Sequence, residues 1–325
     1  MKLSVAMCTY NGEKYIKEQL HSILNQTMAL DEIVICDDGS NDKTIAIIGE
    51  FQDEFPGKIL LFKNQDNLGS TKNFEKAISI CTGDYIFLSD QDDIWKENKV
   101  EKIIQYFIAN QSTEAVFTNG DLINEKSEKF SQNSLWDFTF FMENQLTKPI
   151  NLYNHIIFKA NMVTGATLCF KKEIRNLILP IPNIKKFYHD EWIAIAIANR
   201  NNLGYLTDKL ISYRIHNNQQ SGFSNNLKAD KSKKYQLKSN YILGLDEPKS
   251  FKEYNQLAKV YYRNYLKFKS ASKEAKEEFP VNFNEIAEIY LNLFKKCENS
   301  LKKNNPIFYF FRNLTDKIRG KRQLN

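Results

Sequence analysis

The sequence predicts an α/β protein: a mostly parallel sheet flanked by helices, followed by a basic, mainly helical C-terminal extension. Three observations predict it. Short β-leaning apolar runs alternate with longer segments of helical period over roughly the first 110 residues. Each of those runs ends in a polar turn built from Asp, Asn or Gly. From Asn225 onward 22 Lys and Arg stand against 11 Asp and Glu, whereas the residues before it carry an acidic excess. The two parts are therefore expected to do different work.

The elements follow in order. "KLSVAMCTYN" is a strand running into a polar turn, and "GEKYIKEQLHSILNQT" then sets Tyr15, Ile16, Leu20, Ile23 and Leu24 at helical spacing. "DEIVICDDGSND" repeats the device, with Ile33 to Cys36 as strand, Asp37 to Ser40 as turn, and a helix to about Phe55. "KILLFKNQDNLGS" supplies the third strand and loop, and "TKNFEKAISICTG" a third helix closed by Gly83 as its C-cap. "DYIFLSD" is the fourth strand, and "IWKENKVEKIIQYFIAN" the next helix, starting near Trp95. "NMVTGATLCF" reads as a strand with a turn at Thr164 and Gly165, and "KLISY" as a later strand.

At 325 residues, 42% hydrophobic and 13% aromatic, the chain can bury a large core. We divide it into residues 1–222 and a basic, helical region over 223–325. The start, "MKLSVAMCTYNGEKY", is too brief an apolar run for a signal peptide, and no stretch approaches the roughly 18 apolar residues of a spanning helix, so a cytoplasmic protein is expected. Five scattered cysteines without a C-x-x-C pair argue against a zinc site and a disulfide framework. Four of them read as small core residues.

Tyr10 and Asn11, Asp37 and Asp38, and Asp90, Asp92 and Asp93 each follow a different strand, so a parallel sheet gathers them on one edge, where such sheets bind ligands. The glycines there form neither G-x-G-x-x-G nor G-x-x-x-x-G-K-[ST], which removes the usual phosphate cradles. A divalent cation, Mn²⁺ or Mg²⁺, held by one or two carboxylates and by substrate phosphates is the alternative. Asp90 and Asp92 flank one residue, so a bend would aim both at one small volume. The competing reading is that these acids cap the helix near Trp95; it suits Asp93 as well as a site role does, but one cap needs one acid.

The ordered series "VAMCTYNGEKYIKEQLHSILNQT", "EIVICDDGSNDKT" and "NLGSTKNFEKAISICTGDYIFLSDQDD" resembles the nucleotide-sugar-binding half of family 2 glycosyltransferases, which have the Rossmann-like GT-A fold. "MVTGATLCF", "YHDEWIAIAI" and "YRIHNNQQSG" are similar to bacterial, rhamnosyltransferase-like members that build surface polysaccharides. The resemblance covers about residues 1–222. It implies an inverting transfer from a nucleoside diphosphate sugar to a glycan or lipid-linked acceptor. By position, Tyr10 and Asp38 match base-contacting residues, with Thr9 beside them. Asp90 and Asp92 match the D-x-D motif, with Asp92 on the metal and Asp90 on the ribose or a metal-bound water. Cys8-Thr9 stands where many relatives have a proline. Lys72 lies between base and metal sites, where it would offset diphosphate charge or remain a solvated helix-face lysine.

Inverting transfer needs a base for the acceptor hydroxyl, and a carboxylate ionised at neutral pH serves. In the resembling enzymes the Asp of "YHDEW" is that base, which points to Asp190; Glu191 is its competitor and an N-cap role its bland alternative. A late histidine completes the metal shell in several such enzymes, which makes His216 a candidate ligand. Arg214 is a candidate diphosphate contact or a residue paired with a surface acid. Gly165 is assigned to the donor and acceptor floor, where glycine lets backbone approach a sugar. His21 and His155 read as structural. Trp136, Phe138, Phe140 and Phe141 suit a sugar face but more commonly form core.

"SKKYQLKSNYILGL", "EYNQLAKVYYRNYLKF" and "NEIAEIYLNLFKKC" read as lysine-rich helices, and "NPIFYFFRNLTDKIRGKRQLN" joins aromatics to basic residues as an interfacial helix does. Docking on the inner membrane leaflet is one expectation, a helical subdomain with solvated lysines the other. No zinc-finger, RRM-like or helix-turn-helix pattern supports nucleic-acid binding. Two other functions remain open from the sequence: a nucleotidyltransferase, for which "CTYNGEKY" is a poor phosphate loop, and a non-catalytic sugar-nucleotide-binding protein.

Overall fold

The computed structural model describes residues 1–138, 150–158, 160–185, 187–217, 219, 248–319 and 321–322. The chain forms two compact units, residues 1–183 with 187–228, and residues 229–325 with 184–186. The boundary expected at 222/223 lies outside the described residues, as do Phe140, Phe141 and the segment 232–245.

The first unit runs β1 (Leu3–Thr9), α1 (Ile16–Leu24), β2 (Glu32–Asp37), α2 (Thr44–Glu54), β3 (Ile59–Lys63), α3 (Ser70–Ile80), β4 (Tyr85–Ser89), β5 (Ile94–Trp95), α4 (Lys99–Ala109) and β6 (Ala115–Ile123). It continues with α5 (Leu135–Phe138), α6 (Leu152–Phe158), β7 (Cys169–Lys171), α7 (Arg175–Ile178), α8 (His189–Asn199) and β8 (Leu203–Arg214). The sheet order is β3-β2-β1-β4-β7-β6-β8-β5. The three β-α repeats produce the parallel part, β3-β2-β1-β4. β6 and β8 are also parallel to each other. β7 runs antiparallel to β4 and β6, and β5 antiparallel to β8, so the sheet is mixed beyond β4. Those two strands are three and two residues long, and β5 is too short for a periodicity to announce it.

β1 and β2 carry the continuous burial of central parallel strands, and Leu3, Val5, Met7, Ile33 and Ile35 join Ile16, Leu20 and Ile48 in the core. Each such side chain contributes about 1.5–3 kcal/mol by leaving water. Trp136 is core, tilted against Phe117 at 5.6 Å and edge-on to Tyr205 at 6.0 Å. Cys36, Cys81, Cys169 and Cys297 are buried, and all five thiols are free.

Three local readings are corrected. Ile94 and Trp95 pair with Ser212 and Ile211 of β8, and α4 starts only at Lys99, so the acids before them cap no helix. α3 ends at Ile80, and Gly83 is not its cap: its N–H donates to Ser4 Oγ at 2.7 Å, where a Cβ would lie 2.4 Å from that oxygen. The glycine is needed for close approach of two chain segments. Gly165–Thr167 form a 3₁₀ turn leading into β7, in place of a longer strand.

Among its described residues the second unit has α9 (Phe251–Glu274), α10 (Phe283–Asn304) and α11 (Pro306–Ile318). Ser250 and Glu253 close a capping box at the start of α9, and Pro306 opens α11. Tyr261 and Phe268 of α9 pack on Tyr290 of α10, with ring centroids 6.1 and 5.7 Å apart. No helix among the described residues is long and apolar enough to cross a membrane.

Candidate active site

Three turns at the carboxyl ends of β1, β2 and β4 build one edge of a cleft. The turn after β2 is shaped by Asp37, whose Oδ1 accepts N–H bonds from Gly39 and Ser40 at 3.2 and 2.8 Å. Asp37 Oδ2 takes the Thr9 hydroxyl at 2.7 Å. Gly39 has φ of 87°, a conformation that glycine adopts freely. Asp38 is buried and ties this turn to the loop before α3, accepting from Leu68 N–H at 2.7 Å and Gly69 N–H at 2.8 Å. Gln91, between the two acids of the β4 turn, makes a reciprocal pair with the Tyr10 backbone, accepting its N–H at 2.9 Å and donating to its carbonyl at 3.0 Å.

The cleft encloses a cavity of about 160 Å³ and opens to solvent. Thr9, Tyr10, Asp38, Asp90, Asp92, Gly165, Asp190 and His216 all line it. These come from the end of β1, the turns after β1, β2 and β4, the 3₁₀ turn, the first turn of α8 and the segment after β8. His216 Nε2 lies 2.8 Å from Asp92 Oδ2, and its ring stands 4.9 Å from that of Tyr15. Asp190 sits in the first turn of α8, with Oδ1 accepting the Glu191 N–H at 2.6 Å.

Lys72, Glu191 and Arg214 are not among the lining residues. Lys72 pairs with Glu75 at 2.8 Å on the surface of α3. Glu191 follows Asp190 into the helix. Of the two readings for Arg214, the structure shows the pairing with a surface acid: its side chain is fully buried and meets Glu18. The guanidinium donates to the Asp92 carbonyl at 2.6 Å, the Asn124 carbonyl at 3.1 Å, Ser127 Oγ at 2.9 Å and Glu18 Oε2 at 2.6 Å, and lies 4.5 Å from the Tyr15 ring centroid. Its backbone N–H meets Asp93 Oδ1 at 2.9 Å. Arg214 thus fixes the acidic turn from behind.

Electrostatics in the cleft are dominated by unneutralised acid. Burial first, then the charges of Asp92 and Asp190, raise the Asp90 carboxyl above its ordinary range. Asp93, fully buried with Oδ2 unpartnered, is raised in the same way by burial and then by Asp92 and Asp90. Burial pulls Lys99 down to about 7 against the opposing pull of Asp93. Lys99 Nζ donates to the Ala166 carbonyl at 2.7 Å and lies 3.7 Å from the Trp95 ring centroid, so it braces the 3₁₀ turn. His189 is held down to about 3 by burial and stacks as a neutral ring on Phe74 at 4.0 Å. A Cβ at Gly165 would stand 2.7 Å from His189 Nε2, which accounts for the glycine.

Among the described residues no three or more His, Cys, Asp or Glu side chains form a ready metal cage. Asp92 and His216, 2.8 Å apart, are oxygen and nitrogen donors of the kind Mn²⁺ or Mg²⁺ takes, and phosphate oxygens would have to complete the shell.

Sequence reasoning gave no role to Gln91, Lys99, Phe74 or His189. Lys99 carried a signal, since it occupies the stripe position one turn ahead of the buried Ile103 and Phe107. Gln91, Phe74 and His189 act through partners distant in sequence and left none.

Residues 4–164 match the family model described as Glycosyl transferase family 2. The chain is similar to dTDP-rhamnosyl transferase RfbG of Shigella flexneri, with 30% identity over 80% of this chain and 91% of that one. It is 28% identical to an uncharacterized glycosyltransferase of Haemophilus influenzae over 71% of each chain. Among solved structures, residues 1–349 of S. aureus TarS in complex with UDP align with a TM-score of 0.54 at 15% identity, covering 94% of this chain and 92% of that one. The mannosyltransferase PcManGT from Pyrobaculum calidifontis, in complex with GDP-Man and Mn²⁺, aligns at 0.52 with 14% identity, covering 98% of this chain and 79% of that one. At such identities the structural likeness concerns the fold alone.

Proposed function

The chain belongs to glycosyl transferase family 2 and has the GT-A fold, and from that premise we propose that its cleft performs metal-dependent, inverting transfer from a nucleoside diphosphate sugar to a glycan or lipid-linked acceptor. The observation that carries this reading is the convergence of Asp90, Asp92, His216 and Asp190 on one cleft with Thr9, Tyr10 and Asp38. Tyr10, 40% exposed at the cleft mouth, offers a ring for a nucleobase to stack on. Asp38 shapes the base pocket through the backbone it clamps at Leu68 and Gly69.

Asp92 and His216 would hold Mn²⁺ or Mg²⁺, with Asp90 on the ribose or a metal-bound water. When bound, the ion neutralises charge growing on the departing diphosphate. Asp190, which lines the same cleft as the acid pair, takes the proton from the acceptor hydroxyl. Gly165, whose missing side chain makes room for the His189 ring, belongs to the proposed floor for the sugar, and the braces from Lys99 and Arg214 keep floor and acidic turn in register. The 30% identity to dTDP-rhamnosyl transferase RfbG supports a rhamnosyl or other hexosyl donor, and the reaction proposed for it is a step in bacterial surface polysaccharide assembly.

A thermal-shift screen of nucleotide sugars tests this. Stabilisation by one dTDP-, UDP- or GDP-sugar is expected only with Mn²⁺ or Mg²⁺ and is reversed by EDTA. Stabilisation undiminished by EDTA would remove the metal from the proposal, and an acceptor product retaining the donor's anomeric configuration would remove inversion.

A further inference from the structure

We propose that α11 and the basic groove along its flank form a docking surface for an anionic lipid bilayer. Ile307, Phe311, Leu314 and Ile318, spaced four, three and four residues apart, make one stripe on this helix, and they are 69%, 61%, 48% and 77% exposed. The opposite side is polar and turned inward: Asp316 is buried and paired with Arg322, and Arg312 is paired with Glu298. An amphipathic helix ordinarily packs the other way round, apolar face to the core. Its polar anchors hold α11 with the apolar stripe facing outward.

The flank of the same helix, through Thr315 and Arg319, borders a groove that also takes in Lys259 and Lys321. Among the described residues these three cations have no ion pair, whereas Arg312 and Arg322 are spent on Glu298 and Asp316. Large apolar side chains beside unpaired Lys and Arg match the acyl boundary and phosphate layer of an anionic membrane. A 13-residue helix is about 20 Å long, short of the roughly 30 Å hydrocarbon core, so it would lie in the interface. A second copy joined face to face would set these cations against their own symmetry mates. An acidic soluble protein would satisfy the cations but leave the apolar stripe wet. The bilayer satisfies both.

This inference adds to the glycosyl-transfer reading the surface on which a lipid-linked acceptor would be met. Its test involves no catalysis, so either reading can fail alone. The full chain is sedimented with vesicles of phosphatidylcholine, alone or mixed with phosphatidylglycerol. Wild-type protein is expected to partition to the mixed vesicles at least about tenfold more strongly. Ile307→Ser/Phe311→Ser/Ile318→Ser and Lys259→Gln/Arg319→Gln/Lys321→Gln are each expected to lose about tenfold or more, while their unfolding stays cooperative. Equal binding by wild type and the serine variant overturns the proposal. Absence of wild-type binding to the mixed vesicles overturns it too, and light scattering then shows whether a second copy covers the stripe.

Discussion

Asp92 and Arg214 hold the acidic turn from two sides. The Asp92 carboxylate faces His216 in the cleft, while its backbone carbonyl receives the buried guanidinium. Asp92→Ala removes only the first of these, so the fold is expected to survive and Mn²⁺-dependent affinity for the nucleotide sugar to fall more than tenfold. Even an outer metal partner is worth about tenfold; calorimetry with and without Mn²⁺ reads the loss. Arg214→Met removes the second attachment and strands several acceptors, at about 3 kcal/mol of stability in urea unfolding. Donor affinity unchanged in a stable Arg214→Met protein would deny it that bracing role. For Asp190→Asn, donor affinity is expected to persist while transfer drops about 10²- to 10⁴-fold; single-turnover measurement separates the two. The acids were legible in the sequence because turn chemistry and β-α alternation put them at strand ends. Arg214 was not, because its carbonyl, hydroxyl and carboxylate partners lie 87 to 196 residues away. A sequence gives the type of a long side chain but not its direction.

Among the elements, the β-α repeats were readable through α3, where each strand is long enough to show its pattern. β5 was not, since it is defined by pairing with a distant strand, and β7 is only the short end of the strand read over "NMVTGATLCF". The start of β2 shows how such pairings are secured. Glu32 accepts from Ser4 Oγ at 2.5 Å, Thr82 N–H at 2.6 Å and Lys2 Nζ at 3.1 Å, linking β1, β2 and the approach to β4. Burial alone would raise this carboxyl, but the hydrogen bonds prevail and lower it from 4.5 to about 2. A depressed pKa contributes stability that is present above about pH 4.5 and lost as pH falls through about 2. The difference corresponds to about 3 kcal/mol. Glu32→Gln should therefore be less stable than wild type at pH 6, with the gap closing towards pH 2. Parallel urea midpoints across that range would place the sheet's acid sensitivity elsewhere.

For the whole molecule, the charge reversal near Asn225 was visible from composition. Composition could not show that α11 turns its apolar stripe outward, because that depends on where Arg312 and Asp316 find partners. Among the described residues, all that line the cleft lie between Cys8 and Gln219. The division proposed at residue 222 then has a direct consequence. Residues 1–222 expressed by themselves should unfold cooperatively and show the same metal-dependent stabilisation by the nucleotide sugar as the full chain, within about twofold in apparent affinity. They should also lose the partition to anionic vesicles, which depends on residues beyond 250. A fragment that is unfolded, or folded without donor binding, would make the helical region part of the catalytic domain's stability. Retained vesicle binding by the fragment would move the lipid surface away from α11.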